Sequence, residues 1–155
     1  MIRGLNLGCG SKIIPDAPRA ATWINTDIAA THPAVRLWDL EQMPWPWVDG
    51  EFNKVLAEDV FEHISPWAAC GFMSECWRVL EPGGELILRV PHWQHHNAWT
   101  DPTHFRGCTE WTFDYWTVGT ELYARHNAAY GGARFHQKDR QLDGYDLVFV
   151  LERLA

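Results

Sequence analysis

Basic residues are scarce in this chain: 13 Lys and Arg stand against 20 Asp and Glu, a formal charge of −7. Phosphate backbones are held by Lys and Arg, so this balance excludes an extended nucleic-acid surface and leaves nucleic acid at most as a small-site substrate. Long apolar runs are also missing. No stretch approaches the roughly 18 residues of a membrane-spanning helix, and Met1-Ile2-Arg3-Gly4 lacks the apolar run of a signal peptide. No membrane association and a cytoplasmic location are therefore expected. The four cysteines, Cys9, Cys70, Cys76 and Cys108, include no C-x-x-C pair, which argues against a disulfide framework and a thiolate zinc knuckle. No repeat, low-complexity tract or linker divides the chain, and residues 1–155 read as one domain. Aromatic residues are plentiful instead. Ten Trp in 155 residues are far above the composition of chains that stay unfolded, and imply a packed core.

Short apolar runs separated by turn residues predict strands over Ile2–Leu7, Trp23–Thr26, Val35–Trp38, Phe52–Ala57 and Leu86–Val90. Glu81-Pro82-Gly83-Gly84 launches the last of these, with Pro fixing φ and Gly supplying positive φ. Between the fourth and fifth runs, Ala69, Phe72, Met73, Cys76 and Leu80 recur at helical spacing. Ser65 is the expected N-cap of that helix, with Pro66 at its first helical position. Strand, helix, strand in this order implies a right-handed crossover between parallel strands, hence an α/β class. Arg134–Gln137 and Tyr145–Leu151, joined through Asp143-Gly144, predict an antiparallel hairpin at the sheet edge. A short helix is expected after Thr109, and Gly131-Gly132 breaks whatever precedes it. The expected architecture is a Rossmann-like, doubly wound, mostly parallel sheet of about seven strands with an antiparallel C-terminal edge strand.

In open parallel sheets, ligands collect where the strands end, near the reversal of strand order. Four such places carry suggestive residues. Leu5-Asn6-Leu7-Gly8-Cys9-Gly10 ends the first strand with two glycines that let backbone approach a flat ligand, or simply turn tightly. Asp27 ends the second strand 17 residues beyond Gly10, near the spacing of an acid that accepts from ribose hydroxyls. Asp39-Leu40 follows the third strand, placed for the amino edge and face of an adenine. Glu58-Asp59-Val60, with Glu62-His63, forms an acidic lip after the fourth; acids are also favoured at a helix start. Dinucleotide binding normally needs a third glycine and a helix N-terminus directly after the turn. Ile13 stands where that glycine would be, and Pro15 and Pro18 leave no room for a substantial helix. An acidic crevice without a phosphate cradle suits an adenosine that carries a positive centre better than it suits NAD or ATP.

These residues resemble the class I S-adenosylmethionine-dependent methyltransferases, in particular the small ones of the methyltransferase type 11 kind. Leu5 to Gly10 is similar to that family's first motif and Asn25-Thr26-Asp27 to its ribose-binding acid. Trp38 to Trp45 resembles its adenine-contacting stretch, Ala57 to Ile64 the segment with a Glu-His pair, and Arg78 to Leu86 the turn before the fifth strand. The resemblance implies S-adenosyl-L-methionine as cofactor. It places Gly8, Cys9 and Gly10 against the methionine part, Asp27 on the ribose, Asp39 and Leu40 on the adenine, and Asp59 toward the sulfonium. Asn6, Glu58, Val60 and His63 complete the implied cofactor set. Two departures are visible: the helix between the first two strands is reduced to a proline-bearing loop, and no helical extension precedes Met1. A more open site is expected.

The acceptor side is expected in the His-rich segment from Pro91 to Phe105. A neutral imidazole near pH 7 suits removal of a proton from an oxygen or nitrogen acceptor. His92, at a strand end, is the first candidate base, and His104 with Asp101 the second. The same histidines also read as exposed or hydrogen-bonded framework. His92, His95, His96, His104 and Cys108 are ligand types that zinc accepts, but their spacing fits no recurrent zinc signature and no metal is expected. Trp93, Trp99, Trp111 and Trp116 read either as an aromatic wall or, more in keeping with Trp burial, as core. Trp45-Pro46-Trp47 either caps the adenine or anchors a rigid loop. The expected activity is methyl transfer by in-line displacement to an unidentified acceptor, expected to be a small molecule. The alternative is a binding module for S-adenosylmethionine or S-adenosylhomocysteine without transfer activity. Sequence leaves the oligomeric state open.

Overall fold

A computed structural model describes residues 1–155. Seven strands form one sheet: β1 (Ile2–Leu7), β2 (Ala21–Asp27), β3 (Val35–Leu37), β4 (Phe52–Glu58), β5 (Leu80–Pro91), β6 (Phe135–Asp143) and β7 (Asp146–Arg153). Their spatial order is β3-β2-β1-β4-β5-β7-β6. The first five are parallel, and β7 runs antiparallel to both β5 and β6. The C-terminal hairpin thus forms as expected, with β7 inserted beside β5 and β6 at the rim. The chain winds outward from β1 to β3, returns to β4, and winds the other way. Strand order therefore reverses between β1 and β4, where a ligand crevice opens in sheets of this kind.

Register explains the core. Leu5, Val55, Leu86 and Leu151 lie in one row across β1, β4, β5 and β7, and Leu7, Ala57, Leu88 and Phe149 form the next. All eight are fully buried. Because side chains alternate between faces with period two, the pairing of one row sets the other. Helix α1 (Ala69–Val79) covers this face with Phe72, Met73, Cys76 and Val79. On the opposite face, cross-strand ion pairs link Lys54 to Glu85 and Lys138 to Glu85 and Glu152. The crossover from β1 to β2 runs as a loop through Pro15 and Pro18, as those prolines predict.

Three expectations need correction. Helix α1 begins at Ala69 with Ala68 at its N-cap, one turn later than Ser65 suggests. The Ser65 hydroxyl donates instead to Glu41 Oε2 at 3.1 Å, and Ser65 N–H donates to Glu41 Oε1, so a tertiary partner takes the side chain that would have capped the helix. The fifth strand reaches back to Leu80, with a register shift between Phe52 and Lys54 that absorbs the Pro-Gly-Gly turn. Trp93, Trp99 and Trp111 are exposed, and only Trp116 of that group is core. Trp45 and Trp47 are both buried and pack edge to face, so that segment anchors its loop. After Thr109 the chain forms a 3-10 turn at Asp114–Trp116, with α2 (Asn97–Thr100) before it and α3 (Glu121–His126) after it.

Candidate functional site

At the reversal point, a cleft of about 560 Å³ opens over the ends of β1, β2 and β4, a size suited to a nucleoside-class ligand. Of the expected cofactor residues, Gly8, Asp27, Asp39, Leu40, Asp59, Val60 and His63 line it. Its walls are acidic through Asp27, Asp39, Glu41 and Asp59, and apolar through Ile28, Trp38, Leu40, Val60 and Ile64.

The floor follows from two glycines. Gly8 and Gly10 have φ of +54° and +50°, a region that residues with a Cβ enter at a cost. A Cβ on Gly8 would sit 2.5 Å from Val60 Cγ2, so β1 and the turn after β4 approach closely only because that atom is missing. A Cβ on Gly10 would meet nothing within 4 Å, so at that position the positive φ alone calls for glycine. Gly10 N–H donates to Asp27 Oδ2 at 2.8 Å, and Ala29 N–H donates to Oδ1 at 3.0 Å. A carboxylate has about four acceptor positions, so two stay unused.

Asn6, Cys9, Gly10 and Glu58 do not line the cleft. Asn6 is buried and its amide donates to Lys12 O and Asn25 Oδ1, both at 2.9 Å, tying the loop after β1 to β2. Cys9 is buried and its N–H donates to Thr26 O. Glu58 and Asp59 share the Lys12 ammonium at 3.5 Å. Asp59 has φ +56°, a conformation more accessible to Asp than to most residues. Trp38, Glu41 and Ile64 lie within the stretches that carry the family resemblance, without individual roles there, and Ile28 lies outside them. The signal in the sequence for Ile28 is its place directly after Asp27, an apolar residue beside a candidate ribose acid; the structure leaves it 75% exposed.

The acceptor-side residues separate. His92 is held by both ring nitrogens: Nε2 faces Glu110 Oε1 at 3.2 Å, and Nδ1 accepts from Gln94 N–H. It does not line the cleft. His95 stacks on Tyr145 and neighbours His96. His104 lies beside His63 instead, their ring centroids 4.5 Å apart and nearly perpendicular. Asp101 pairs not with His104 but with Thr103, accepting from its N–H and its hydroxyl at 2.8 and 2.7 Å. Beneath the two rings lies Glu62, 1% exposed. Burial pushes its carboxyl up to about 8, and Asp59 adds to the rise. Burial and the neighbouring His104 lower the His63 imidazole.

The sequence profile described as "Methyltransferase domain" matches residues 5–88, from β1 into β5. A probable S-adenosylmethionine-dependent methyltransferase of Mycolicibacterium smegmatis is 32% identical over 97 residues, a match that covers 57% of this chain and 36% of that relative. The chain thus spans little more than a third of that relative's length. A SAM-dependent methyltransferase from Methanosarcina mazei superposes with a TM-score of 0.71 at 15% identity, covering 99% of this chain and 92% of that one. The 1,6-didemethyltoxoflavin-N1-methyltransferase of Burkholderia thailandensis, solved with 1,6-didemethyltoxoflavin and S-adenosylhomocysteine bound, gives 0.60 at 16% identity, covering 99% and 72%. At these identities the structural matches speak for the fold.

Proposed function

Because the chain belongs to the methyltransferase domain family, we propose that it binds S-adenosyl-L-methionine in the cleft between β1 and β4 and transfers the methyl group to a small-molecule acceptor. The observation that carries this reading is the joining of the glycine turn to the acid at the end of β2: Gly10 and Asp27 are hydrogen-bonded, and Asp27 lines the cleft. The cofactor supplies a methyl carbon on a sulfonium, open to in-line attack.

Each wall has a role in this reading. The free positions of the Asp27 carboxylate accept from the ribose hydroxyls. Ile28 and Leu40 give the adenine apolar faces, and Asp39 accepts from its amino group. Asp59 places negative charge toward the positive centre. Asn6 and Cys9 act behind the wall by holding the loop after β1, and Glu58 by sharing Lys12. The acceptor enters at the end marked by His63, beside His104. His104 stays a candidate for contact with the acceptor, Asp101 acts through Thr103, and His92, with both nitrogens engaged, reads as framework. A small-molecule acceptor is supported by the Burkholderia protein, whose bound acceptor is a small heterocycle. No helix of the chain is long and apolar enough to cross a membrane.

Calorimetric titration with S-adenosylhomocysteine, followed by a methyl-transfer screen across acceptor classes, tests the reading. Saturable one-site binding with a methylated product is expected. Binding without product on any class would favour a binding module without transfer, and no binding would overturn the cofactor assignment.

A further inference from the structure

The hydrogen bonds around His63 and His104 decide where their ring protons sit. The Thr103 hydroxyl donates to Asp101 Oδ1 at 2.7 Å, so its oxygen, 2.9 Å from His63 Nδ1, must accept a proton from that nitrogen. His104 Nδ1 lies 3.1 Å from the carbonyl of Ala98, which can only accept. Both imidazoles therefore carry the proton on Nδ1. Each Nε2 is a bare lone pair with no protein partner. Beside them the buried Glu62 has a carboxylate oxygen, Oε2, that no protein group satisfies. One ligand atom from each of Glu62, His63 and His104 lies within 4.8 Å of the other two.

A buried carboxyl oxygen without a partner is costly. A cation shared by the three groups satisfies it. The outer contacts fit that reading, since ligating histidines typically donate the other ring N–H to a carbonyl or, through a hydroxyl, to a carboxylate. We propose that Glu62, His63 and His104 form a site for a divalent transition-metal ion of the zinc class at the acceptor end of the cleft. Two imidazoles and one carboxylate suit such an ion, whereas Mg²⁺ prefers an all-oxygen shell. Zinc with ligands at about 2.1 Å holds them roughly 3.4 Å apart, so the side chains close by up to about 1.4 Å on binding. The two rings are part-exposed and can turn to do so.

Three protein ligands leave a coordination position open, as in catalytic rather than structural zinc sites. His63 lines the cleft, so that position is accessible from it. Resting on the methyl-transfer reading, the open position takes an acceptor oxygen. Coordination lowers the pKa of the acceptor hydroxyl, and its proton leaves to solvent. The oxygen lone pair then forms the O–C bond while the C–S bond breaks, and that electron pair returns to sulfur.

The test is titration of the metal-stripped full chain with Zn²⁺ and separately with Mg²⁺, using a chromophoric zinc competitor as readout. One tight Zn²⁺ site and no comparable Mg²⁺ site are expected. His63→Ala and His104→Ala should each weaken Zn²⁺ at least tenfold, while His95→Ala and His96→Ala leave it unchanged. Circular dichroism verifies that each variant is folded, and the two histidine variants keep the proposal testable should Glu62→Gln not fold. Absence of a tight Zn²⁺ site, equal Mg²⁺ affinity, or loss of Zn²⁺ only in the His95 or His96 variants would overturn it. S-adenosylhomocysteine titrated into the zinc-free chain reports the nucleoside end separately, so Zn²⁺ binding without nucleoside binding leaves this site standing and removes the methyl-transfer reading.

Discussion

Gly10 donates its backbone N–H to the Asp27 carboxylate at 2.8 Å, which locks the turn after β1 to the end of β2 before any ligand arrives. Two of the carboxylate's about four acceptor positions shape the loop, and the residue itself lines the cleft. This pre-organisation means that one side chain serves both the site and its wall.

Replacing Asp27 by Ala removes both functions. S-adenosylhomocysteine binding should weaken by about 1.5–3 kcal/mol, or roughly 10- to 150-fold, the scale for hydrogen bonds to a charged acceptor. Calorimetry on the folded variant measures this, and an unchanged dissociation constant would remove Asp27 from the site.

The two glycines should differ in stability and agree in function. Gly10→Ala meets no neighbour and suffers only the left-handed backbone, about 1–2 kcal/mol. Gly8→Ala suffers that plus the contact with Val60 Cγ2, about 1–3 kcal/mol more. Urea unfolding should rank Gly8→Ala below Gly10→Ala, and adding Val60→Ala should recover only the extra part. Equal midpoints for the two single variants would contradict the close approach at Val60.

Acid should unfold the protein in part through Glu75. Burial alone would raise its carboxyl, but the Arg78 guanidinium and the Trp45 N–H outweigh burial and hold it below the ordinary value. A depressed folded-state pKa stabilises above the unfolded-state value of about 4.3, and that contribution is lost as pH falls through the folded value. Glu75→Gln should cost about 1.5–3 kcal/mol at pH 7. It should also flatten the fall of the urea midpoint below about pH 4.5. An unaltered pH slope would rule Glu75 out as a contributor.

Two aromatic truncations should separate core from surface. Phe72 is fully buried under the sheet, edge-on to Trp45 and tilted against Phe61, so Phe72→Ala should cost about 3–5 kcal/mol. Trp67, 94% exposed, should change stability by less than about 0.5 kcal/mol when made Ala. Thermal melts of both variants provide the comparison.

The strands and the cofactor end were legible in the sequence because both depend on short-range patterns. Apolar runs bounded by turn residues marked β1 to β5, and the proline pair marked the loop that replaces a helix after β1. Glycine turns and acids at strand ends sit at one rim because parallel strands all end on the same side. Where the pattern misled, a distant partner had intervened. Ser65 reads as a helix cap until Glu41 takes its hydroxyl, and Trp99 and Trp111 read as core until their loop leaves them exposed.

The sequence by itself determined the α/β class, the acids that line the cleft and the family, since each rests on spacing along the chain. Tertiary structure alone decided which histidines meet. His104 lies 41 positions from His63, and only the return of the loop after β5, with Phe105 N–H donating to Glu62 O, sets their rings against the buried Glu62. Loop closure of that length obeys no periodicity, so the meeting of those three side chains depends on packing and leaves no local trace in the residues themselves.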